Sequence, residues 1–597
     1  MKNLTINEEK LRDLYLRNLS IGVLQGPPTC KPSINKSWLK YYTEDQILNT
    51  VVPKMTIYDY MMKENKNSLT DTALYYFGNE LSYEQMNKEI NKFASSVLKN
   101  GIKKGDIITI CMPNTPEAVI AFYALMKIGV VANMIHPLSS ENEIKEFLNE
   151  SNSKLLLTID SSLNKINNIK NDTNVIKTIV VTPADSMPLL TKLGYKLKYG
   201  KDNKIKLDSN TITWKDFIEE GKDTKSIESI EYEKNMPAVM LHTGGTTGKS
   251  KAVVLTNENF NSMVEQFRQN TDNFERGDKM LTVMPVFHGF GLCSSLHLPL
   301  SLGVGCILIP KLSAKDIDKL FDKYHPNHIL GVPTLFKGII QSEKMKDKDL
   351  SYVKNIVSGG DLVKDSLEDT INKFFKEHNA DITLSKGYGL SEAVAGATFA
   401  AKDYNSYNTV GIPMINTNVK IINQETKEEL KEGEIGEICV KGPSIMKEYY
   451  KQSEETKNVL QDGWLHTGDL GYFRDSKLYF STRRGNMIIS SGVNVYPNII
   501  EEVIEEHEAV AACAVVGIVH PYKMEVPKAY IILNEGYEAN EKLKYEIEEL
   551  CKKNLNKYSV PYQYEFREKL PQTLLGKISH KMLKEEILTN AKVFTKK

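Results

Sequence analysis

The sequence predicts an α/β fold: a large N-terminal domain of two doubly wound sheets plus a small β subdomain, then a small α/β C-terminal domain. Three observations predict it. Strand-like β-branched runs alternate with capped helical segments over 106–159 and again over 303–389. Between about 409 and 482 the pattern changes to short strands broken by Gly turns. From about 486 the alternation of strand and helix returns on a smaller scale.

The elements follow in order. Residues 1–55 read as a polar leader. Asp106–Met112 is strand-like, and Thr115 followed by Pro116 supplies an N-cap with proline at the first helical position, opening an apolar helix that stops at Gly129. Val130–Ile135 is the next strand, Ser140 caps a helix over 141–150, and Lys154–Ile159 is a third strand. This rhythm is that of a parallel wound sheet, whose ligands lie at the carboxyl ends of its strands. The second layer reads GVGCILIP, a helix from Ala314, HILGVP, a helix from Thr334, NIVSGG, a long helix from Lys364 and ITLSKGYG. Beyond Pro497 come a helix, the strand AVAACAVVGIV and a helix near 540–555. A boundary is expected near Arg484–Gly485, giving domains of 56–484 and 485–597.

Bulk properties narrow the function. Lys plus Arg and Asp plus Glu both number 76 in 597 residues, so no net charge favours nucleic acid. The seven cysteines are scattered without a C-x-x-C pair, as expected of buried thiols in a reducing compartment. The N-terminal MKNLTINEEK has no apolar stretch behind it, and the most apolar window, Ala118–Met126, is far short of the ~20 residues a bilayer needs. A cytoplasmic protein is expected. The basic, aromatic stretch from Lys192 to Lys206 reads as a solvated face, with weak peripheral contact at a membrane surface as the other reading.

The most telling stretch is Thr243, Gly244, Gly245, Thr246, Thr247, Gly248, Lys249, Ser250 and Lys251. It is one residue short of a nucleotide P-loop, and a β-branched run, Ala252–Thr256, follows where a P-loop has a helix. Pro237–His242 before it is also strand-like, so the unit reads as a hairpin. Flexible backbone N–H groups, hydroxyls and two ammonium groups suit a triphosphate; a surface turn has similar composition.

Further candidates stand just after the strands: PVFHGFG with His288, SGGD with Gly359 and Gly360, KGYGLSE with Gly387, Tyr388, Gly389, Ser391 and Glu392, and DGWLHTGD with Asp469. Arg483, GVNVYP with Gly492, and PQTLLGKI with Lys577 complete the series. Together and in this order they resemble the ANL superfamily of adenylate-forming enzymes, most closely its acyl-CoA synthetases, from about Leu81 to Ile587. The resemblance implies that the hairpin grips the β and γ phosphates of ATP, Tyr388 faces adenine and Ser391 meets the α phosphate. Glu392 would hold Mg²⁺, which prefers oxygen ligands. Asp469 and Arg483 would reach the ribose, Lys577 would be the catalytic lysine, and His288 would gate the acyl pocket. Four departures are visible: Ser250 in place of Pro, Ala252 in place of Gly, Ser391 in place of Thr, and Gly485 at the hinge in place of Asp or Lys.

The substrate class follows from what is missing. Relatives that activate amino acids place an aspartate in the stretch matching PVFHGFGLCSS, and no acid occurs here; an unpaired buried ammonium would be costly. The small residues Ala393 to Ala397, including Gly396, leave room for a hydrocarbon. The implied reaction joins a small-molecule carboxylic acid with an apolar tail to ATP, giving acyl-AMP, and passes the acyl group to coenzyme A while a mobile C-terminal domain swings about Gly485. The chain ends some 20 residues past Lys577 without a phosphopantetheine-serine motif, so free coenzyme A is expected as acceptor. The alternative is a free-standing acyl-AMP ligase that loads a separate carrier protein.

Overall fold

The computed structural model describes residues 30–199, 207–222, 227–243, 250–271, 273–313, 316–401, 404–490, 493–520, 522–573 and 577–594. Its first sheet runs, from one edge to the other, through Glu448–Tyr449, Lys251–Thr256, Pro237–Thr243, Val131–Met134, Ile107–Cys111, Leu155–Ile159, Lys177–Val181 and Thr211–Thr213. The six strands from Pro237–Thr243 onward are parallel, and the two at the other edge are antiparallel. The second sheet runs Ile412–Pro413, Thr398–Ala400, Ser385–Tyr388, Asn355–Ser358, His328–Gly331, Lys279–Thr282, Gly305–Leu308, Thr72–Tyr76 and Asn79–Ser82. Both expected wound layers are present.

Local signals set the helices. Thr115 accepts a hydrogen bond from the Ala118 N–H at 3.3 Å, Pro116 opens the helix Pro116–Ile128, and Gly129 ends it at φ 68°. Every residue of that helix is buried, which is why its sequence is apolar all round apart from Glu117 and Lys127. Ser140 and Glu143 form a capping box at the start of Glu141–Ser151. The core joins both sheets: Ile108, Ala132 and Val239 of the first and Leu74, Met280 and Cys306 of the second belong to one buried cluster with Phe93, Phe122 and Phe260.

Three features depart from the sequence reading. Residues 30–55, expected as a polar leader, fold into the short helices Pro32–Asn35, Ser37–Tyr41 and Glu44–Asn49, with Trp38, Tyr42 and Ile47 buried and the Tyr42 hydroxyl donating to Pro413 O at 2.9 Å. Widely spaced aromatic anchors hold a segment whose average composition is polar. The stretch Phe290–His297 is a π-helix, a form no local pattern announces. Six cysteines are buried as expected, and Cys30 is exposed.

The chain divides into two compact units, one comprising Lys36–Asn418 with Val440–Leu465 and one comprising Val419–Cys439 with His466 onward. A sheet of Asn418–Ile422, Gly436–Lys441, Trp464–Arg474, Leu460–Gln461 and Lys477–Arg483, in which Trp464–Arg474 pairs antiparallel with the last two, is the expected β subdomain. Arg484–Asn486 is a short 3₁₀ turn after it, and the last sheet combines Ile488–Ser490, Val493–Val495, Val510–His520, Met524–Leu533 and Gln563–Phe566. Helices Pro497–Glu505 and Glu541–Asn554 cover that sheet around Ile500, Ile504, Val515, Ile531 and Ile547.

Candidate active site

The hairpin reading is correct in its strands. Pro237–Thr243 and Lys251–Thr256 pair antiparallel with Thr243 opposite Lys251. The tip residues Gly244, Gly245, Thr246, Thr247, Gly248 and Lys249 lie outside the described residues, as does Gly492. At the mouth the Ser250 hydroxyl donates to Thr243 O at 2.8 Å, a bond that proline could not make. His242, one residue before, pairs through Nε2 with Asn133 Oδ1 at 2.7 Å, and burial pushes its imidazole down to about 4, so it is neutral.

Lys251 carries a network no local pattern showed. Its Nζ lies 2.5 Å from Glu455 Oε2 and 4.9 Å from the centre of the Tyr449 ring. Tyr449 sits on the edge strand opposite Val253, and its hydroxyl donates to Glu392 Oε1 at 2.8 Å. Burial and the Glu392 charge both raise the Tyr449 hydroxyl well above its ordinary range, so it remains a donor. Glu392 stands on the turn Ser391–Ala393, pinned by the Met446 N–H donating to Glu392 O at 2.7 Å. Hairpin, edge strand and Glu392 turn are thus joined through charged side chains. Beside them, Lys145, Glu146, Glu150, Ser250, Lys251 and Glu455 line a cleft of about 650 Å³.

The Glu392 turn is tightly folded. Val394 holds φ 61° and ψ −66°, a strained state for a β-branched residue. Gly289 presses against it so closely that a Cβ there would lie 1.7 Å from Val394 O, and a Cβ on Gly389 would lie 1.8 Å from Ala395 O. Only glycine allows either approach. Tyr388 is buried at the end of its strand, and Gly387 pairs with Phe399. Gly359 lies under the Phe290 ring, and Gly360 turns with φ 83°. His288 is half-buried at the head of the π-helix, its N–H donating to Pro285 O at 3.1 Å. Gly396 faces the sulfur atoms of Met414 and Met263, and Ala393 is buried beside Glu392.

The remaining candidates belong to the second unit. Asp469 and Arg483 are register partners in neighbouring strands, with Arg483 Nε 3.2 Å from Asp469 Oδ1. Asp469 is buried while the arginine side chain is 62% exposed, so the pair presents one face to solvent. Lys577 is half-buried, its O accepting the Thr573 N–H at 2.7 Å. The structure sets Asp469 beside Arg483 and links Glu392 to the hairpin base through Tyr449; Tyr449, Glu455 and His242 were not among the sequence candidates.

Comparison with known proteins adds the following. A family model described as AMP-binding enzyme matches residues 63–450, and one described as AMP-binding enzyme C-terminal domain matches 499–577. The chain is 32% identical over 562 residues to a long-chain-fatty-acid–CoA ligase of Bacillus subtilis (strain 168), covering 93% of this chain and 99% of that one. It is 28% identical to a long-chain-fatty-acid–CoA ligase of Haemophilus influenzae, again covering 93% and 99%. Its fold resembles the crystal structure of an anthranilate CoA ligase in complex with anthranoyl-AMP, with TM-score 0.80 at 20% identity over 90% of this chain and 99% of that one.

Proposed function

This chain belongs to the AMP-binding enzyme family, and on that premise we propose that it is an AMP-forming acid–CoA ligase acting on fatty acids: ATP and the acid give acyl-AMP and pyrophosphate, then coenzyme A gives acyl-CoA and AMP. The observation that carries the fatty-acid reading is the apolar wall beside the Glu392 turn. Gly396 packs against the thioethers of Met263 and Met414, and the segment 285–295 contains no carboxylate to pair with a substrate ammonium. The names of the curated relatives agree with it.

In this proposal the residues divide the work. Thr243, Ser250 and Lys251 hold the β and γ phosphates, Lys251 exchanging Glu455 for phosphate when the nucleotide enters. Tyr388 lies against adenine, Ser391 meets the α phosphate, and Asp469 with Arg483 holds the ribose hydroxyls. Glu392 fits Mg²⁺: it is a hard oxygen donor, half-exposed, with Oε1 oriented by Tyr449. The ion, when bound, neutralises phosphate charge. Lys577 stabilises charge as the carboxylate attacks the α phosphate, and the C-terminal domain then turns about Gly485, bringing the Gly492 loop in for thioester formation. His288 gates the passage between acyl pocket and thiol.

We also propose peripheral contact with an anionic bilayer through the helix Leu189–Tyr199. Leu189, Leu190, Leu193 and Leu197 are between 58% and 86% exposed there, three of them at a four-residue spacing. In the sequence, lysines 192, 196, 198, 201, 204 and 206 are interspersed with these leucines and follow them, and such a basic run suits an acidic lipid surface. Among the described residues no helix is long and apolar enough to cross a membrane. Co-sedimentation with phosphatidylglycerol vesicles should fall with salt and with Leu193→Glu plus Leu197→Glu; binding unchanged by both refutes the contact.

The deciding experiment for function is a panel of acids scored for AMP and pyrophosphate release with and without coenzyme A. Fatty acids should give acyl-CoA. Turnover with α-amino acids alone overturns the substrate class, and accumulation of acyl-AMP with no thioester moves the reading to the carrier-loading ligase.

A further inference from the structure

One side-chain cluster outside the proposed catalytic groups has the donor set of a metal centre. Glu437 and Cys439 stand two residues apart on the strand Gly436–Lys441, so both side chains leave the same face of the sheet. His466 projects from the adjacent strand Trp464–Arg474. Cys439 Sγ is 3.6 Å from His466 Nδ1, and His466 Nδ1 is 3.5 Å from Glu437 Oε2. All three donor atoms fall within 4.8 Å of one another, and among the described residues this is the one such group of three.

The spacing has a specific meaning. Zinc bonds of about 2.3 Å to sulfur and about 2.0–2.1 Å to nitrogen or oxygen, arranged tetrahedrally, place neighbouring donors about 3.3–3.6 Å apart. The 3.6 Å and 3.5 Å distances fit those edges. A histidine–glutamate ion pair alone requires no thiol at 3.6 Å. The carboxylate is also oriented from behind: Glu437 Oε1 accepts the Gly468 N–H at 3.2 Å, leaving Oε2 toward the cluster. Cys439 and Glu437 are buried, while the His466 side chain is 13% exposed and gives access from solvent.

We propose that Glu437, Cys439 and His466 form a binding site for a thiophilic divalent cation of the zinc class, with a fourth position open to water. Binding releases the thiol proton to solvent and forms the metal–sulfur bond. A divalent ion with one thiolate and one carboxylate leaves the buried site neutral, which avoids an uncompensated interior charge. The sulfur and imidazole donors select against Mg²⁺, so this site is chemically separate from Glu392. It also lies beside the part of the strand Trp464–Arg474 proposed above to hold the ribose. The Thr467 hydroxyl donates to Ile438 O at 2.7 Å, and Thr467 and Gly468 lead directly to Asp469.

The test titrates the full chain, in a Cys30→Ser background that removes the exposed thiol, with cadmium chloride in excess Mg²⁺. Ultraviolet thiolate-to-cadmium charge transfer should saturate at one ion per chain, and zinc should displace it. Cys439→Ser should abolish the absorption, and His466→Ala and Glu437→Gln should each weaken cadmium binding by at least ~10-fold. Absence of stoichiometric binding, or charge transfer that survives Cys439→Ser, overturns the proposal. Because His466 is partly exposed, a folded His466→Ala chain of unchanged cadmium affinity overturns it independently of the buried variants. Metal binding is read without turnover, so the outcome is independent of the ligase reading.

Discussion

Replacing Tyr449 by Phe removes one oxygen and little else. The ring stays buried and remains 4.9 Å from the Lys251 ammonium, so packing and the cation–π attraction persist. What is lost is the 2.8 Å hydrogen bond to Glu392 Oε1. A hydrogen bond to a charged group contributes about 1.5–3 kcal/mol, and removing a partner that orients a metal ligand typically costs about 10–100-fold in metal affinity or activity. These ranges agree, since a tenfold change is about 1.4 kcal/mol. Acid-dependent exchange of pyrophosphate into ATP, followed against Mg²⁺ concentration, should show an activation midpoint raised by about 10–100-fold, with most of the rate recovered at saturating Mg²⁺. Tyr449→Leu also removes the ring face from Lys251 and should raise the KM for ATP in addition. An unchanged Mg²⁺ dependence in Tyr449→Phe would refute the assignment of Glu392 as the metal ligand oriented by Tyr449.

Lys577→Ala should lower adenylation by about 10²–10³-fold yet retain most thioester formation from preformed acyl-AMP; equal losses in the two half-reactions would defeat the two-conformation reading. Gly396→Phe forces a ring into the wall formed by Met263 and Met414, whose sulfurs a Cβ there already meets at 3.8 and 3.4 Å, so kcat/KM for long acids should fall while short acids are spared, at about 0.8 kcal/mol per excluded methylene; a uniform loss across chain lengths contradicts the pocket assignment. Gly289→Ala drives a Cβ to 1.7 Å from Val394 O, and urea denaturation should show about 1–3 kcal/mol of destabilisation with a matching loss of adenylation. Burial raises the Glu117 carboxyl from 4.5 to about 7, against the opposing hydrogen bond from Ser186. The folded chain keeps that proton between pH 4.5 and 7 while the unfolded chain loses it, so its contribution to stability falls by about 1.4 kcal/mol per pH unit across the window and is constant above it. The stability of Glu117→Gln relative to the parent should therefore rise from pH 5 to pH 7; a pH-independent difference refutes the buried, protonated state.

What the sequence alone determined was local. The Thr115 cap, Pro116 and Gly129 bound one helix, and Ser140 with Glu143 opened the next, because their hydrogen bonds close within a few residues. The β-branched run after Lys251 excluded a P-loop for the same reason: strand or helix preference is written into adjacent residues. The order of motifs at strand ends likewise singled out Glu392, Asp469 and Arg483 as candidates. Tertiary structure decided which of these residues meet and through what. Glu455 reaches Lys251 across 204 positions, and Tyr449 reaches Glu392 across 57. No period of 2 or 3.6 encodes such a pairing, because periodicity says which face is buried and not which partner it meets. The strain at Val394 and the close approach of Gly289 exist only once separate segments are pressed together in a dense core, and the burial of Trp38 in an otherwise polar stretch has the same origin. Glu437, Cys439 and His466 are likewise three ordinary residues until two neighbouring strands bring their donor atoms within 4.8 Å of one another.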